Sequence, residues 1–182
     1  MEDHLLKQIF LQKTGVNNEE NASGNSLRAA LRRNHTYIPG IGFYERAALR
    51  SRWSELLREI SRQYSYHVDD ALHVRNIAHI SDVLSNEFAS ILYGERLRIG
   101  TSQKALNLYL KFLWCLELNT TPPPHCPIDR LVLWQVGIVD AWTKLDSRET
   151  YMQWIDTLRN FALAKGYVTL LDYELELWNN AF

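Results

Sequence analysis

The chain has 182 residues, a length that fits a single domain with a sizeable core. Hydrophobic residues make up 46% of it and the formal net charge is −1, which excludes a disordered tail and a strong whole-molecule attraction to nucleic acid or membranes. No stretch reaches the roughly 18 consecutive apolar residues of a membrane helix. We therefore expect no membrane partner. The two cysteines are too few for a disulfide framework, so we expect a cytoplasmic protein.

Charge is unevenly distributed along the chain. Residues 22–64 contain eight arginines and three glutamates, a net charge of +5, whereas residues 140–182 contain seven acidic and four basic residues, a net charge of −3. Such a molecule could turn a basic face toward an anionic partner. The commoner explanation of arginines on exposed helix faces is that they are simply solvated.

The first half of the chain predicts helices separated by a connector and a turn. Apolar residues at helical spacing over residues 5–10 predict an N-terminal helix, whereas residues 14–25 are rich in Asn, Glu, Ser and Gly and predict a flexible connector. We therefore expect residues 26–182 to form the single helical domain. A short basic helix over residues 26–33 and a turn over residues 37–42 are predicted to open it.

Two long helices are predicted next. Apolar residues recur at helical spacing from Tyr44 to Tyr64, with arginines and glutamates largely on the other side. Residues 69–93 repeat the pattern less cleanly, with a candidate break at Ser81 or Ser85.

The middle of the chain predicts a central helix. Gly94 and Gly100 bracket a short connection, and Thr101 or Ser102 is the predicted N-cap of the helix that follows. Residues 105–116 leave almost no polar face, which is typical of a helix at the centre of a core.

Three more helices are predicted toward the C-terminus. Pro127 suits an early position in a helix over residues 126–136, because its missing amide hydrogen costs nothing there. Asp146 or Ser147 is the predicted start of the next helix, which Gly166 ends. Thr169 is expected to cap the last one. Alternating strand patterns are missing, so we predict an all-α fold, an orthogonal bundle of seven or eight helices.

One segment resembles a known family. The residues Gly100-Thr-Ser-Gln-Lys104-Ala-Leu-Asn107, with Ile128-Asp129 after the next loop, resemble the helix-hairpin-helix DNA glycosylases over about forty residues. In that family a Gly-x-Gly hairpin opens a helix that carries a lysine and then an Asn, and a Val-Asp or Ile-Asp pair starts the following helix. Ser102 stands here in place of the second hairpin glycine.

The resemblance implies a DNA partner and a chemistry. Lys104 would attack the sugar C1′ as an amine and form a Schiff base, and apolar surroundings would favour its uncharged form. Asp129 would stabilise a cationic sugar or activate the nucleophile. Helix-start amides would bind a DNA phosphate, and a base turned out of the stack would meet an aromatic pocket. The residues implied are Gly100, Thr101, Ser102 and Gln103 for the phosphate and Trp114, His125 or Trp134 for the base.

No cofactor or metal is expected. Cys115, His125 and Cys126 supply three potential ligands without a fourth, and neighbouring residues seldom both point inward, which argues against a structural zinc site.

A second class of function remains open beside the enzyme. The tryptophans and tyrosines could fill the core or a partner interface of a non-enzymatic helical interaction protein. The enzyme requires Lys104 and Asp129 to open into one cleft, whereas the interaction protein allows them to lie far apart or sealed.

Overall fold

A computed structural model describes residues 2–32, 34–119 and 121–182, with the backbone alone at Glu2 and Asp3. Within these ranges the chain forms eight α-helices and four short 3-10 helices, and its one isolated β-bridge joins Tyr37 to Leu92. The predicted all-α class is confirmed. None of the helices in the described ranges has the length and apolar character needed to span a bilayer.

The helices follow one another through short connections. They are α1 (Glu2–Thr14), α2 (Glu19–Leu31), α3 (Phe43–Ser61), α4 (Asp70–Phe88), α5 (Ile99–Cys115), α6 (Arg130–Trp134), α7 (Arg148–Ala164) and α8 (Leu170–Ala181).

Helix α5 is the centre of the bundle, as its apolar sequence predicts. Every residue in it except Leu108 is buried, and it packs most extensively on α2, with further contacts to α1, α3, α4 and α7. Its buried residues include polar ones, and a buried polar group is costly unless it is hydrogen-bonded. The hydrogen-bond partners of those polar residues are therefore a main feature of the protein interior.

Helix α2 occupies most of the predicted connector, which is a difference from the sequence-based expectation. The side chain of Asn18 accepts a hydrogen bond from the Asn21 amide at 2.9 Å and caps the helix, so only residues 15–18 link α1 to α2. Ala22, Ser23 and Ser26 are buried. Small side chains let helix backbones approach closely, although they give a weak hydrophobic signal. The predicted basic helix over residues 26–33 is the second half of α2, and Arg33 lies outside the described residues.

The N-terminal helix packs on the C-terminal one. Lys13 Nζ donates to the Asn179 carbonyl at 2.6 Å, and Asn179 Nδ2 donates to the Leu6 carbonyl at 2.9 Å. The boundary expected at residue 25 therefore falls inside α2, between segments that both contact the core.

Helix α4 continues unbroken through both candidate break points. Ser85 Oγ donates to the Ser81 carbonyl at 2.6 Å and accepts from the Leu97 amide at 2.9 Å, while Ser81 Oγ donates to the Leu97 carbonyl. The two serines thus fasten the connection before α5 to the side of α4.

Two helix starts differ from prediction. Helix α5 begins at Ile99, whose amide donates to Asp146 Oδ1 at 3.1 Å, so Thr101 and Ser102 lie inside the helix and do not cap it. Helix α6 begins after Asp129, which is its N-cap, and Pro127 lies before the helix.

The last two helix starts agree with prediction. Ser147 Oγ accepts from the Thr150 amide at 3.1 Å at the start of α7, and Thr169 Oγ1 accepts from the Asp172 amide at 3.1 Å at the start of α8. Gly166, with a φ of +89°, follows the end of α7.

Candidate functional site

Lys104 and Asp129 lie side by side in the folded chain. Lys104 Nζ donates to Asp129 Oδ2 at 2.7 Å, although 25 positions separate the two residues. The lysine side chain is 10% exposed and that of the aspartate 26%. The pair therefore lies at the edge of the core, where the carboxylate keeps partial access to solvent.

The two oxygens of Asp129 have different tasks. Oδ1 accepts from the backbone amides of Leu131 and Val132 at 2.9 and 3.2 Å, which is the N-cap of α6, while Oδ2 faces Lys104. Because capping holds the carboxyl group at the helix start, the direction of its second oxygen is fixed.

The environment of Asp129 favours its charged form. Burial alone would raise the pKa of this carboxyl group, but the charge and hydrogen bond of Lys104 and the amides of Val132 and Leu131 together lower that pKa below its ordinary value. At neutral pH Asp129 is therefore a carboxylate that accepts a hydrogen bond from Lys104 Nζ. A lysine is a nucleophile only when its amine carries a free electron pair.

Gln103 anchors the chain immediately before Asp129. Its Nε2 donates to the Ile128 carbonyl at 2.8 Å and its Oε1 accepts from the Ile128 amide at 3.1 Å. Asn107, one turn further along α5, donates to Gln103 Oε1 at 3.1 Å and to the Cys126 carbonyl at 3.0 Å. Gln103 and Asn107 thus set the path of the segment that presents Asp129 to Lys104.

The amides at the start of α5 are bonded within the protein, which differs from the exposure that a phosphate site needs. The Gly100 amide donates to the Leu145 carbonyl at 2.8 Å, and the amides of Thr101 and Ser102 both donate to the Arg98 carbonyl at 3.1 and 3.0 Å. All three residues are buried. A phosphate could reach the Gly100 amide only by displacing the segment that contains Leu145.

The side chains of the same turn are also committed to packing. A Cβ on Gly100 would lie 1.8 Å from the Trp142 carbonyl oxygen, so glycine permits a backbone contact that no other residue allows. Thr101 Oγ1 accepts from Asn34 Nδ2 at 2.6 Å. With the contacts of Gln103, these interactions show that the first turn of α5 holds neighbouring segments of the fold together.

The three aromatic residues assigned to a base pocket have separate surroundings. Trp114 is 6% exposed with Lys7 Nζ 3.7 Å from its ring centroid, and it lies ten residues after Lys104, about 15 Å along the helix. Trp134 is 56% exposed under the guanidinium of Arg130. His125 is fully buried. The structure brings none of them together with Lys104 through a hydrogen bond or ring contact among the described residues.

A buried chain of hydrogen bonds runs beside the pair. Tyr64 Oη lies 2.7 Å from His73 Nδ1, and His73 Nε2 lies 2.7 Å from Asn107 Oδ1. Since an amide oxygen can only accept, His73 Nε2 carries the proton and the Tyr64 hydroxyl donates to Nδ1. Burial and the nearby His125 lower the pKa of His73 well below its ordinary value, so this ring is neutral.

The chain of hydrogen bonds continues from Asn107 to the surface. Asn107 Nδ2 donates to Tyr151 Oη at 3.0 Å, and Tyr151 Oη lies 2.7 Å from His125 Nδ1. His125 Nε2 donates to Asp70 Oδ1 at 3.0 Å, and Arg159 holds both oxygens of Asp70 at 2.6 Å. The side chain of Asp70 is 39% exposed, so the network connects the core to solvent.

The sequence offered only partial signals of this network. Gln103 and Asn107 stand out as amides in an otherwise apolar helix, and buried amides require partners. Tyr151 and His73 gave no such signal, because an aromatic or histidine residue at a buried helical position is ordinary. Among the described residues no cluster of three His, Cys, Asp or Glu side chains could hold a metal ion. Cys115 and Cys126 are both buried and are not joined by a disulfide bond.

Comparison with protein-family models, curated proteins and solved structures gives no match for this chain.

Proposed function

We propose that the chain is a DNA-binding protein with base-excision chemistry, a DNA glycosylase or abasic-site lyase that acts through Lys104 and Asp129. The observation that carries the proposal is the 2.7 Å contact between Lys104 Nζ and Asp129 Oδ2, in which the lysine side chain is 10% and the aspartate side chain 26% exposed. The resemblance to helix-hairpin-helix glycosylases gives the same two residues the roles of amine and carboxylate. The amides of Gly100, Thr101 and Ser102 have no part in it, because they are bonded within the protein.

The proposed chemistry balances within the pair. The ammonium of Lys104 passes one proton to Asp129 Oδ2, and the free amine attacks the aldehyde carbon, C1′, of an abasic sugar. The carbinolamine formed takes the proton back on its hydroxyl group, which leaves as water. The products are a protonated imine that joins Lys104 to the sugar, a molecule of water and the carboxylate of Asp129.

The low pKa of Asp129 shapes its proposed role. A carboxyl group with a lowered pKa is a weak base, so the proton stays on it only while the amine is attacking. The negative charge is then restored beside the cationic imine, which it stabilises.

Borohydride trapping tests the proposal. Hydride reduces an imine between Lys104 and an abasic oligonucleotide to a secondary amine, which survives denaturing electrophoresis. We expect a trapped adduct with the wild-type chain and none with Lys104→Arg, which keeps the charge but cannot form an imine. Lys144→Arg, a change at an exposed lysine, is the matched control and should trap as the wild type does. No adduct from the wild type on a panel of abasic and damaged oligonucleotides would reject the proposal.

A non-enzymatic interaction protein is the second candidate. The observation in its favour is a pair of exposed aromatic residues at the start of α3: Phe43 is 77% and Tyr44 is 84% exposed, with ring centroids 5.7 Å apart. Exposed aromatic side chains are common at the centre of protein interfaces. An interaction protein would lose its protein partner on Phe43→Ser, and its wild-type chain would form no borohydride-trapped adduct on an abasic oligonucleotide.

A further inference from the structure

A groove with a volume of about 530 Å³ lies between α2 and α3, and Lys104 is not among the residues that line it. Three arginines line it together with Ser51 and Ser54: Arg28 from α2, Arg32 directly after the end of α2, and Arg50 from α3. Leucines from α2 form the apolar part of its wall. The groove therefore combines guanidinium and hydroxyl donors with an apolar surface.

No carboxylate of the described chain neutralises these arginines. Arg28 donates to the amide oxygen of Asn25 at 3.3 Å, and none of the ion pairs among the described residues includes Arg28, Arg32 or Arg50. Arg52, two positions after Arg50 on the same helix, shows the contrast. It pairs with Glu87 at 3.0 Å and with Glu55 at 3.6 Å. The positive charge of the groove is thus available to an anion from outside.

An exposed aromatic side chain lies on the same face of α3 as one arginine of the groove. Phe43 precedes Arg50 by seven residues, nearly two helical turns, so the two residues share one face of α3 and lie about 10 Å apart along its axis. Phe43 is 77% exposed, and Tyr44 beside it is 84% exposed. A basic groove with aromatic side chains along it is the arrangement that binds single-stranded nucleic acids without sequence preference.

We propose that the groove between α2 and α3 binds a single strand of nucleic acid. The guanidinium groups of Arg28, Arg32 and Arg50 bind successive phosphates, since a guanidinium forms paired hydrogen bonds with phosphate oxygens. A base stacks on Phe43. An acidic peptide would satisfy the arginines equally well, but it would leave the exposed rings of Phe43 and Tyr44 without a partner.

This surface deepens the proposed function and rests on it, because it would hold the strand that carries the damaged nucleotide to Lys104. Its own binding needs no lesion. An undamaged strand contains no aldehyde for Lys104 to attack, so binding of that strand and trapping of an abasic strand are separate measurements.

Fluorescence anisotropy with an undamaged, labelled single-stranded oligonucleotide tests the groove. We expect Arg32→Ala/Arg50→Ala to weaken binding at least fivefold and to reduce the slope of log K against log salt by about 1.4, the value for two lost phosphate contacts on a single strand. The matched control is Arg62→Ala/Arg75→Ala, which removes two exposed arginines outside the groove and should change binding less than twofold. Phe43→Ala should weaken binding about tenfold.

Three results would overturn the assignment. They are an undetectable affinity of the wild type, an equal loss in the two double variants, and binding of a polyglutamate peptide as tight as that of the oligonucleotide. Lys144→Arg, the control used for trapping, should bind the undamaged strand as the wild type does. If the undamaged strand binds in the groove but no adduct forms on an abasic strand, the groove assignment stands and the enzymatic proposal fails. If an adduct forms but the undamaged strand does not bind, the enzymatic proposal stands and the groove assignment fails.

Discussion

Asp129 joins Lys104 to the start of α6 through one carboxyl group, with Oδ2 on the ammonium at 2.7 Å and Oδ1 on the amides of Leu131 and Val132. The same group is a counter-ion and a helix cap. Charge and capping can be separated by substitution, because an asparagine keeps the capping oxygen and removes the negative charge.

Asp129→Asn should therefore destabilise the fold moderately and abolish adduct formation. The ammonium of Lys104 would lose its carboxylate in a largely buried position, which we expect to cost about 1–2 kcal/mol, below the range for fully buried pairs because the aspartate is partly exposed. Urea denaturation measures the cost. Asp129→Ala, which also removes the cap, should cost about 1 kcal/mol more. Equal stability of the asparagine variant and the wild type would mean that the ion pair contributes nothing.

Lys111 and Glu174 form a fully buried ion pair, with Nζ 2.5 Å from Oε2 and side chains 0% and 3% exposed. Glu174→Gln should cost about 3–5 kcal/mol, because it leaves a buried ammonium without a counter-charge. Glu87→Gln breaks the exposed pair with Arg52 and should cost below about 1 kcal/mol. Thermal denaturation of both variants measures the difference. Similar losses in the two variants would contradict the burial of Lys111.

Gly100→Ala should destabilise the chain by about 1–3 kcal/mol, because the new Cβ would lie 1.8 Å from the Trp142 carbonyl oxygen and the backbone of one segment must move. Gly24→Ala is the matched control in α2. A Cβ at Gly24 meets no atom within 4 Å, and alanine lowers the entropy of the unfolded chain, so this change should stabilise by about 0.5–1 kcal/mol. Equal effects of the two substitutions would show that α5 does not start against Trp142.

Stability should fall as the pH drops from about 7 to 5. Burial lowers the pKa of both His73 and His125, so the unfolded chain binds protons in this range that the folded chain does not. Their contribution is fully present above the unfolded histidine pKa of about 6.5 and is lost below it, at up to about 1.4 kcal/mol per pH unit for each ring. Urea denaturation at several pH values measures the slope.

The histidines can be tested individually. His125→Gln should reduce the dependence of stability on pH, whereas His67→Gln, a change at an exposed position, should leave it as in the wild type. A wild-type stability that is constant from pH 7 to 5 would contradict neutral, buried rings at both sites.

Local signals in the sequence predicted much of the fold. Ser147 and Thr169 cap α7 and α8 as expected, because a cap depends on residues three positions apart. The central position of α5 followed from its apolar composition. The first half of α2 was missed, since Ala22 and Ser23 contribute through their small size and not through hydrophobicity.

Long-range contacts account for the remaining differences. The start of α5 is set by Asp146, which accepts from Ile99 from 47 positions away, and no local pattern distinguishes it from a cap by Thr101. The proximity of Lys104 and Asp129 was expected only through the resemblance, and the buried route from His73 to Asp70 was not expected at all. Such networks depend on which helices pack against each other, and helical periodicity does not predict those contacts.

The most direct measurement is identification of the trapped residue. After borohydride reduction of the wild-type chain on an abasic oligonucleotide, proteolysis and mass spectrometry should locate the sugar on Lys104, with Asp129→Asn giving no labelled peptide. Label on another lysine or on the N-terminal amine, or labelling that persists in Lys104→Arg, would contradict the catalytic role of the pair.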